Sequence, residues 1–241
     1  MTVIGIISDT HGQLSEAAYA ALADSDHIIH AGDIGNPSIL RELETLAPVT
    51  AVLGNNDFDE YGQAVSRFAH PVIDGVRFLV AHYPRDVKIN FAGSGALAPG
   101  DPIPQVCVHG HTHVPEIVTG PEARPASYIV CPGAAFRPRG GFPRCIAKVD
   151  VSDGRVNSVR VGALTGEGGG GGGGAAIISS ERHAARWKGC GGGARNATTR
   201  GGSMAEGYGA IARTVAHIME ANYAGQPECA PCGGARSWLA A

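Results

Sequence analysis

The chain has 241 residues, 44% of them hydrophobic, and a formal net charge of −3. This composition predicts a globular protein with one ordinary domain, and it gives neither the basic footprint of nucleic-acid-binding proteins nor a cationic face for membranes. No apolar run approaches the length of a membrane span, no secretion signal is recognisable, and the six scattered cysteines do not suggest a disulfide framework. We therefore expect a cytoplasmic protein.

The first part of the chain alternates strand and helix patterns. Val3–Ile7, His27–Ala31 and Val49–Leu53 have the pattern of short buried strands. Two segments with helical spacing of apolar residues separate them, and the second begins with Asn36 as a cap and Pro37 in the first turn. This β-α-β-α-β order predicts a parallel sheet covered by helices.

The next segments favour antiparallel pairing. Asp74 and Gly75 between two apolar segments predict a tight hairpin, and Asp153 and Gly154 predict another. Together with the parallel part, these segments predict an α/β fold, a two-sheet mixed β-sandwich flanked by helices. The remaining strand candidates are 106–108, 117–119, 127–130, 146–151 and 156–161.

The composition changes after residue 163. Residues 164–241 contain 19 of the 36 glycines, including the unbroken run Gly168–Gly174, which has the character of a flexible linker. Ser203 and Glu206 form a capping box for one amphipathic helix, predicted over 203–224. We predict a domain over 1–163, followed by a largely disordered, glycine-rich extension over 164–241.

Five polar motifs follow the predicted strands, where ligand sites of α/β sheets concentrate. Their carboxylate, imidazole and amide oxygen donors suit Mn, Fe, Co, Ni or Zn, and the lack of cysteine argues against a structural zinc. Each motif alone is weak, because Gly-Asp and Gly-Asn are usually ordinary turns and a lone histidine is usually a packed one. Their joint order indicates a metal centre. The candidate ligands are Asp9, His11, Asp33, Asn55, His82, His111 and His113.

This motif set resembles that of the calcineurin-like metallophosphoesterase family, in particular its small single-domain phosphodiesterase branch from bacteria and archaea. The resemblance covers roughly residues 1–163, and every ligand position has the residue type that the family uses. It implies that Asp9, His11 and His113 bind a first metal, that Asp33 bridges to a second, and that Asn55, His82 and His111 complete the second site.

The resemblance implies a dinuclear, metal-dependent phosphodiesterase with Asp33, Asn55 and His111 as catalytic residues. Two divalent ions are expected, with Mn favoured and Ni, Co, Fe, Zn or Mg as alternatives. Their charge would exceed that of two carboxylates and a bridging hydroxide, so the site would attract a small phosphate ester or a nucleotide-like substrate. The bridging hydroxide would be the nucleophile.

Two departures from the family pattern sharpen this interpretation. Asn56 stands where much of the family has a histidine that protonates the leaving oxygen, which favours phosphodiesters with phenolic or nucleotide-like leaving groups. Tyr83 follows His82 where glycine is usual, so that Tyr83 and Arg85 either reach the substrate or line a solvated loop.

An alternative function is a metal-binding but non-catalytic scaffold for protein interactions. The retromer complex has a subunit of this fold in which the metal positions have eroded. Retention of all seven ligand types in this chain favours the enzyme.

Overall fold

The computed structural model describes residues 1–58, 61–62, 65–87, 95–164 and 176–179. Two six-stranded sheets and short helices form its architecture, which confirms the predicted α/β sandwich. No helix of these residues is long and apolar enough to cross a membrane. The helices are α1 (Glu16–Leu22), α2 (Pro37–Leu43) and α3 (Pro84–Val87), and a 3₁₀ turn covers Gly120–Ala123. The strands are β1 (Thr2–Ile7), β2 (His27–His30), β3 (Val49–Ala51), β4 (Phe68–Ala69), β5 (Val72–Ile73), β6 (Val76–Ala81), β7 (Val106–Val108), β8 (Pro115–Thr119), β9 (Tyr128–Pro132), β10 (Cys145–Ser152), β11 (Arg155–Ala163) and β12 (Ala176–Ser179).

The first sheet has the strand order β12-β11-β10-β1-β2-β3. β1, β2 and β3 run parallel, as the alternating strand and helix patterns predict, while β10 is antiparallel to β1. The connecting helices begin at capping residues. Ser15 Oγ accepts a hydrogen bond from Ala18 N at 3.2 Å, and Asn36 Oδ1 accepts one from Ser38 N at 2.8 Å, so each side chain satisfies a backbone donor that has no partner inside the helix.

The second sheet has the order β4-β6-β7-β9-β8, with β5 paired to β6. β6, β7 and β9 run parallel. The predicted hairpin between β5 and β6 turns at Asp74 and Gly75, whose φ angles of 47° and 76° are those of a tight two-residue turn. Its turn meets the other predicted hairpin, since Gly154 N donates to Asp74 O at 2.9 Å.

Three apolar clusters pack the layers together. The central one lies between the sheets and contains Ile4 and Ile6 from one sheet and Phe78 and Val106 from the other. A second cluster joins the first sheet to α1 and α2, and a third joins the second sheet to α3 and the 3₁₀ turn. Burial on both faces explains why the parallel strands carry mostly apolar side chains.

Four short elements were not predicted: β4, α3, the 3₁₀ turn and β12. β12 lies beyond residue 163 and pairs with β11, so the first sheet extends past the predicted end of the domain. The predicted linker run Gly168–Gly174 and the predicted helix over 203–224 lie outside the described residues.

Candidate metal centre

The candidate ligands follow the carboxyl ends of β1, β2, β3, β6 and β7. Parallel pairing brings these ends to one edge of each sheet, where polar loops can meet. Hydrogen bonds continue the pairing of β1 and β2 into the loops: Asp9 N donates to Gly32 O at 3.0 Å and His11 N to Asp33 O at 2.9 Å. The loop positions are therefore fixed by the sheet itself.

Four of the candidate side chains form a first cluster. One ligand atom from each of Asp9, His11, Asp33 and His113 lies within 4.8 Å of all the others. His11 Nε2 is 3.4 Å from His113 Nε2 and 3.8 Å from Asp33 Oδ2. Asp9 is fully buried and Asp33 and His113 nearly so. Two carboxylates and two imidazoles thus converge on one point with little access to water.

The contact between Asp9 and His113 indicates what this point requires. Asp9 Oδ1 is buried and accepts no hydrogen bond among the described residues, yet it lies 3.0 Å from His113 Nε2. Asp9 Oδ2, in contrast, accepts hydrogen bonds from Ser8 Oγ at 2.6 Å and His111 N at 3.2 Å. An unsatisfied buried carboxylate oxygen facing a ring nitrogen needs a positive charge beside it, either a proton or a cation.

The pKa values of this pair follow from the same contact. Burial alone would lower the pKa of His113, but the adjacent Asp9 carboxylate raises it above its ordinary value. Burial would raise the pKa of Asp9, but the adjacent His113, the nearby His82 and the hydrogen bond from Ser8 lower it below its ordinary value. A divalent cation bound at this point would supply the positive charge and would compete with a proton on His113.

The other candidates form a second cluster around Asn55. Asn55 Oδ1 lies 3.1 Å from His82 Nε2 and 2.9 Å from His111 Nδ1. His82 Nε2 is also 3.5 Å from Asp33 Oδ1. His82 is buried, whereas Asn55 is exposed and His111 is half-buried. Burial lowers the pKa of His111 to about 4, so its ring is neutral and its lone pair is available near pH 7.

Asp33 joins the two clusters. Its Oδ2 faces His11 in the first cluster and its Oδ1 faces His82 in the second. Asn56 orients this carboxylate by donating from its backbone N to Oδ1 at 2.9 Å and from its side-chain Nδ2 to Oδ2 at 2.7 Å. A carboxylate held with one oxygen toward each cluster has the arrangement that a bridging ligand requires. No pattern in the sequence indicated this role of Asn56.

Backbone carbonyls set the orientation of two histidines. His82 Nδ1 lies 2.8 Å from Ala31 O, and His113 Nδ1 lies 2.7 Å from Arg137 O. A carbonyl only accepts, so each Nδ1 carries a proton toward its carbonyl and each ring turns Nε2 toward its cluster. Metal-binding histidines are commonly oriented in this way.

Five candidate ligands have a left-handed backbone, with φ angles from 46° to 68°. A residue with a side chain rarely adopts this conformation, and its concentration at one place is typical of a functional site. The backbone of Gly54 packs closely against one of these ligands, because a Cβ there would lie 2.1 Å from Asp33 Oδ1. The five residues are Asp9, His11, Asp33, His111 and His113.

Asp57 supports the loops that carry Asp33 and Asn55. Its carboxylate accepts hydrogen bonds from the backbone N of Ile34 at 3.1 Å, Gly35 at 2.9 Å and Gly54 at 2.8 Å. It lies outside both clusters and connects the loop of Asp33 to the loop of Asn55. Burial would raise the pKa of Asp57, but these backbone donors lower it.

The two clusters fit divalent metal ions. Their donor atoms are carboxylate oxygen, imidazole nitrogen and amide oxygen, which suit first-row divalent cations, and the orphaned Asp9 Oδ1 marks a place for positive charge. The structure brings all seven predicted residues to this edge. Their assignment as ligands stays a prediction.

Comparison with known proteins identifies the family. The calcineurin-like phosphoesterase superfamily domain matches residues 1–154. A probable metallophosphoesterase of Methanothermobacter thermautotrophicus is 40% identical over 123 residues, which are 48% of this chain and 69% of that protein.

Two solved structures share the fold. The Yfce phosphoesterase of E. coli has a TM-score of 0.52 at 20% identity, covering 74% of this chain and 98% of that one. Vacuolar Protein Sorting 29 of Cryptosporidium parvum has a TM-score of 0.53 at 16% identity, covering 68% and 92%. With the domain match spanning more than half of its residues, the chain belongs to the calcineurin-like phosphoesterase superfamily.

Proposed function

We propose that the protein is a metal-dependent phosphodiesterase with one divalent cation in each cluster. The observation that carries the proposal is the Asp33 carboxylate, which presents one oxygen to each cluster while Asn56 holds it in place. Mn²⁺ is the ion we favour for both positions, since it accepts carboxylate, imidazole and amide donors together. Cation binding would also satisfy the buried Asp9 Oδ1.

The residues of the centre would divide the work. When bound, the ions would lower the pKa of a water molecule between them, so that hydroxide is available as the nucleophile, and would neutralise charge on the phosphate. Asp33, Asn55 and His111 are the catalytic residues of this proposal. Asn55 is exposed and His111 half-buried, so the second cluster is the side from which a phosphate ester can approach.

The preference for diesters with good leaving groups rests on Asn56. Both of its donor groups are used on Asp33, and an amide does not transfer a proton near pH 7. A phenolic or nucleotide-like leaving oxygen departs with little protonation, whereas a simple alkoxide does not. Small aryl or nucleotide-like phosphodiesters are therefore the proposed substrates.

The test compares metal-stripped protein with and without added Mn²⁺ on bis-p-nitrophenyl phosphate. Asp33→Asn is the informative variant, because asparagine tolerates the left-handed backbone at this position while the bridging charge is lost. Asp24→Asn is the matched control. It removes an exposed carboxylate that forms an ion pair with Lys148. We expect Mn²⁺-dependent turnover in the parent and in the control. Turnover by Asp33→Asn should be lower by at least about a hundredfold.

Activity in the parent that does not exceed that of Asp33→Asn would reject the enzyme. The diester preference is tested separately with p-nitrophenyl phosphate under the same conditions. Equal or faster turnover of this monoester would reject the preference and leave the metal-dependent phosphoesterase in place.

A non-catalytic scaffold of the same fold is the alternative. The exposure of Asn55 and the half-burial of His111 favour the enzyme, since catalytic metal sites keep an open position whereas structural ones are closed. Mn²⁺ binding with no turnover of any phosphate ester would favour the scaffold.

A further inference from the structure

A stacked pair of side chains lies beside the second cluster. The Arg85 guanidinium carbon is 4.6 Å from the centroid of the Tyr83 ring. The Tyr83 ring is in turn 4.7 Å from the His111 ring, tilted by 58°, and 5.5 Å from the His82 ring in an edge contact. An aromatic ring and a cation therefore extend the wall of the centre outward from two of its proposed ligands.

The short helix α3 holds this pair in position. Tyr83 immediately precedes α3, and Asp86 within α3 is buried. Arg67 Nη2 donates to both oxygens of Asp86, at 3.1 and 2.9 Å, which anchors the short helix by an ion pair. This ion pair, in which Asp86 is buried and Arg67 is exposed, holds α3 beside Tyr83 and Arg85 without any help from a bound substrate.

The positive charge of Arg85 is only weakly compensated by the neighbouring carboxylate of Asp86. Its Nε is 4.0 Å from Asp86 Oδ1, beyond hydrogen-bond distance, while Arg67 already compensates that carboxylate. The Arg85 side chain is 58% exposed. Tyr83 is half-buried, so part of its surface also faces solvent. A flat aromatic surface and an accessible cation thus stand next to the place where a phosphate would bind.

We propose that Tyr83 and Arg85 form a specificity element that binds a flat aromatic group of the substrate, such as a nucleobase, by stacking. The proposal rests on the proposed phosphodiesterase function, because the phosphate of that substrate must lie at the metal centre. Aromatic side chains stack on any base, and arginine planes add a cation–π contribution. The expected substrates are therefore nucleotide-like esters without strict base selectivity.

A simpler role for Tyr83 would be to cover His82 and His111. That role predicts equal effects on all phosphate ligands, whereas a stacking role predicts an effect only on ligands with an aromatic group. Adenosine 5′-monophosphate and ribose 5-phosphate separate the two, since they differ only in the base. Their dissociation constants for the Mn²⁺-loaded full chain can be measured by calorimetry.

We expect the parent to bind adenosine 5′-monophosphate about tenfold more tightly than ribose 5-phosphate. Tyr83→Leu should abolish this ratio and leave ribose 5-phosphate binding nearly unchanged, while Tyr83→Phe, which keeps the ring, should retain it. Arg85→Gln should reduce the ratio by about threefold. Mn²⁺ binding to each variant shows whether the centre is intact.

Equal affinities of the parent for the two ligands, no measurable binding of either, or equal losses for both in Tyr83→Leu would overturn the inference. Those outcomes are distinct from failure of the proposed function. A base-dependent ratio without hydrolysis of bis-p-nitrophenyl phosphate would remove the enzyme and keep the binding element, and hydrolysis without the ratio would do the reverse.

Discussion

The two ligand clusters are built from similar residues but differ in burial and charge. The first contains Asp9 as well as the shared Asp33, and its carboxylates are almost inaccessible to solvent. The second has only the shared carboxylate, an exposed amide from Asn55 and two imidazoles. More negative charge in a dry, rigid site favours a dication, so we expect the first position to bind its ion more tightly. We expect the second position to be the one that meets substrate.

Asp9→Asn is expected to have the largest effect on the difference between the two positions. Asparagine fits the left-handed backbone of residue 9, but it removes the charge that the first position alone possesses. Mn²⁺ stoichiometry should fall from two to one by calorimetry, and diester turnover should fall at least about a thousandfold, since a catalytic ion supplies several kcal/mol of transition-state stabilisation. A variant that keeps two ions and full activity would contradict the role of Asp9.

Asn55→Ala tests the weaker position. Its side chain is exposed, so the fold should be unaffected, while the second cluster loses its central oxygen. We expect one Mn²⁺ to remain, turnover to fall about a hundredfold, and part of it to return at high Mn²⁺ concentration. Asn55→Asp is the matched control and should tighten the second ion, because it adds a carboxylate. A remaining ion in Asn55→Ala that binds more weakly than the remaining ion in Asp9→Asn would reverse the proposed ranking.

Asp57→Asn tests whether the two loops depend on one another. The variant replaces a charged acceptor of three backbone N–H groups, so the free energy of unfolding of the metal-free chain should fall by about 2 kcal/mol. Urea titration measures this loss, with exposed Asp24→Asn as control.

The pH dependence of the Asp57 effect has a defined sign. The pKa of Asp57 is lowered in the folded chain, so its stabilisation is present above the ordinary value of 3.8 and is lost as the pH falls through the lowered value. The gap between parent and Asp57→Asn should therefore be full at pH 7 and narrow in acid. A gap that is the same at both ends would show that the charge of Asp57 is unimportant.

The smallest expected effect is a difference in how pH acts on the two positions. The pKa of His113 is raised, so a proton competes with the first ion, and its affinity should fall by up to about tenfold per pH unit below that pKa. His111 in the second position has a pKa of about 4 and is already neutral at pH 6. Mn²⁺ titrations of Asn55→Ala report on the first position and those of Asp9→Asn on the second, each between pH 8 and 6. A steeper fall of Mn²⁺ affinity at the second position would contradict the prediction.

The strand and turn patterns of the sequence predicted the frame of the molecule well. Apolar runs such as Val3–Ile7 are buried on both faces of a parallel sheet, so their pattern is unambiguous, and Asp74 with Gly75 permits essentially one kind of turn. β4 and α3 carried no such pattern. β4 has two residues and exists because it pairs with β6, and Asp86 of α3 forms its ion pair with Arg67, which lies outside the helix.

The candidate site could be anticipated in its residue types but not in its supports. Order along the strands indicated which side chains would meet, because parallel strand ends share one edge. The hydrogen bonds of Asn56 to Asp33 and of Asp57 to the loop backbone depend on how two loops approach each other in space. The carbonyl of Ala31 that orients His82 is a backbone group, which no residue type reveals.

The left-handed backbone at five candidate ligands has a consequence for mutational tolerance. At Asp9 or Asp33, asparagine and glycine suit the conformation, while valine or isoleucine would strain it whatever their polarity. A saturation library selected for folded protein should keep asparagine and glycine at these positions, and the same library selected for phosphate-ester hydrolysis should keep the aspartates alone. The backbone conformation and the carboxylate ligand of these positions can thus be selected separately. A single substitution could remove the ligand while the sheet stays intact.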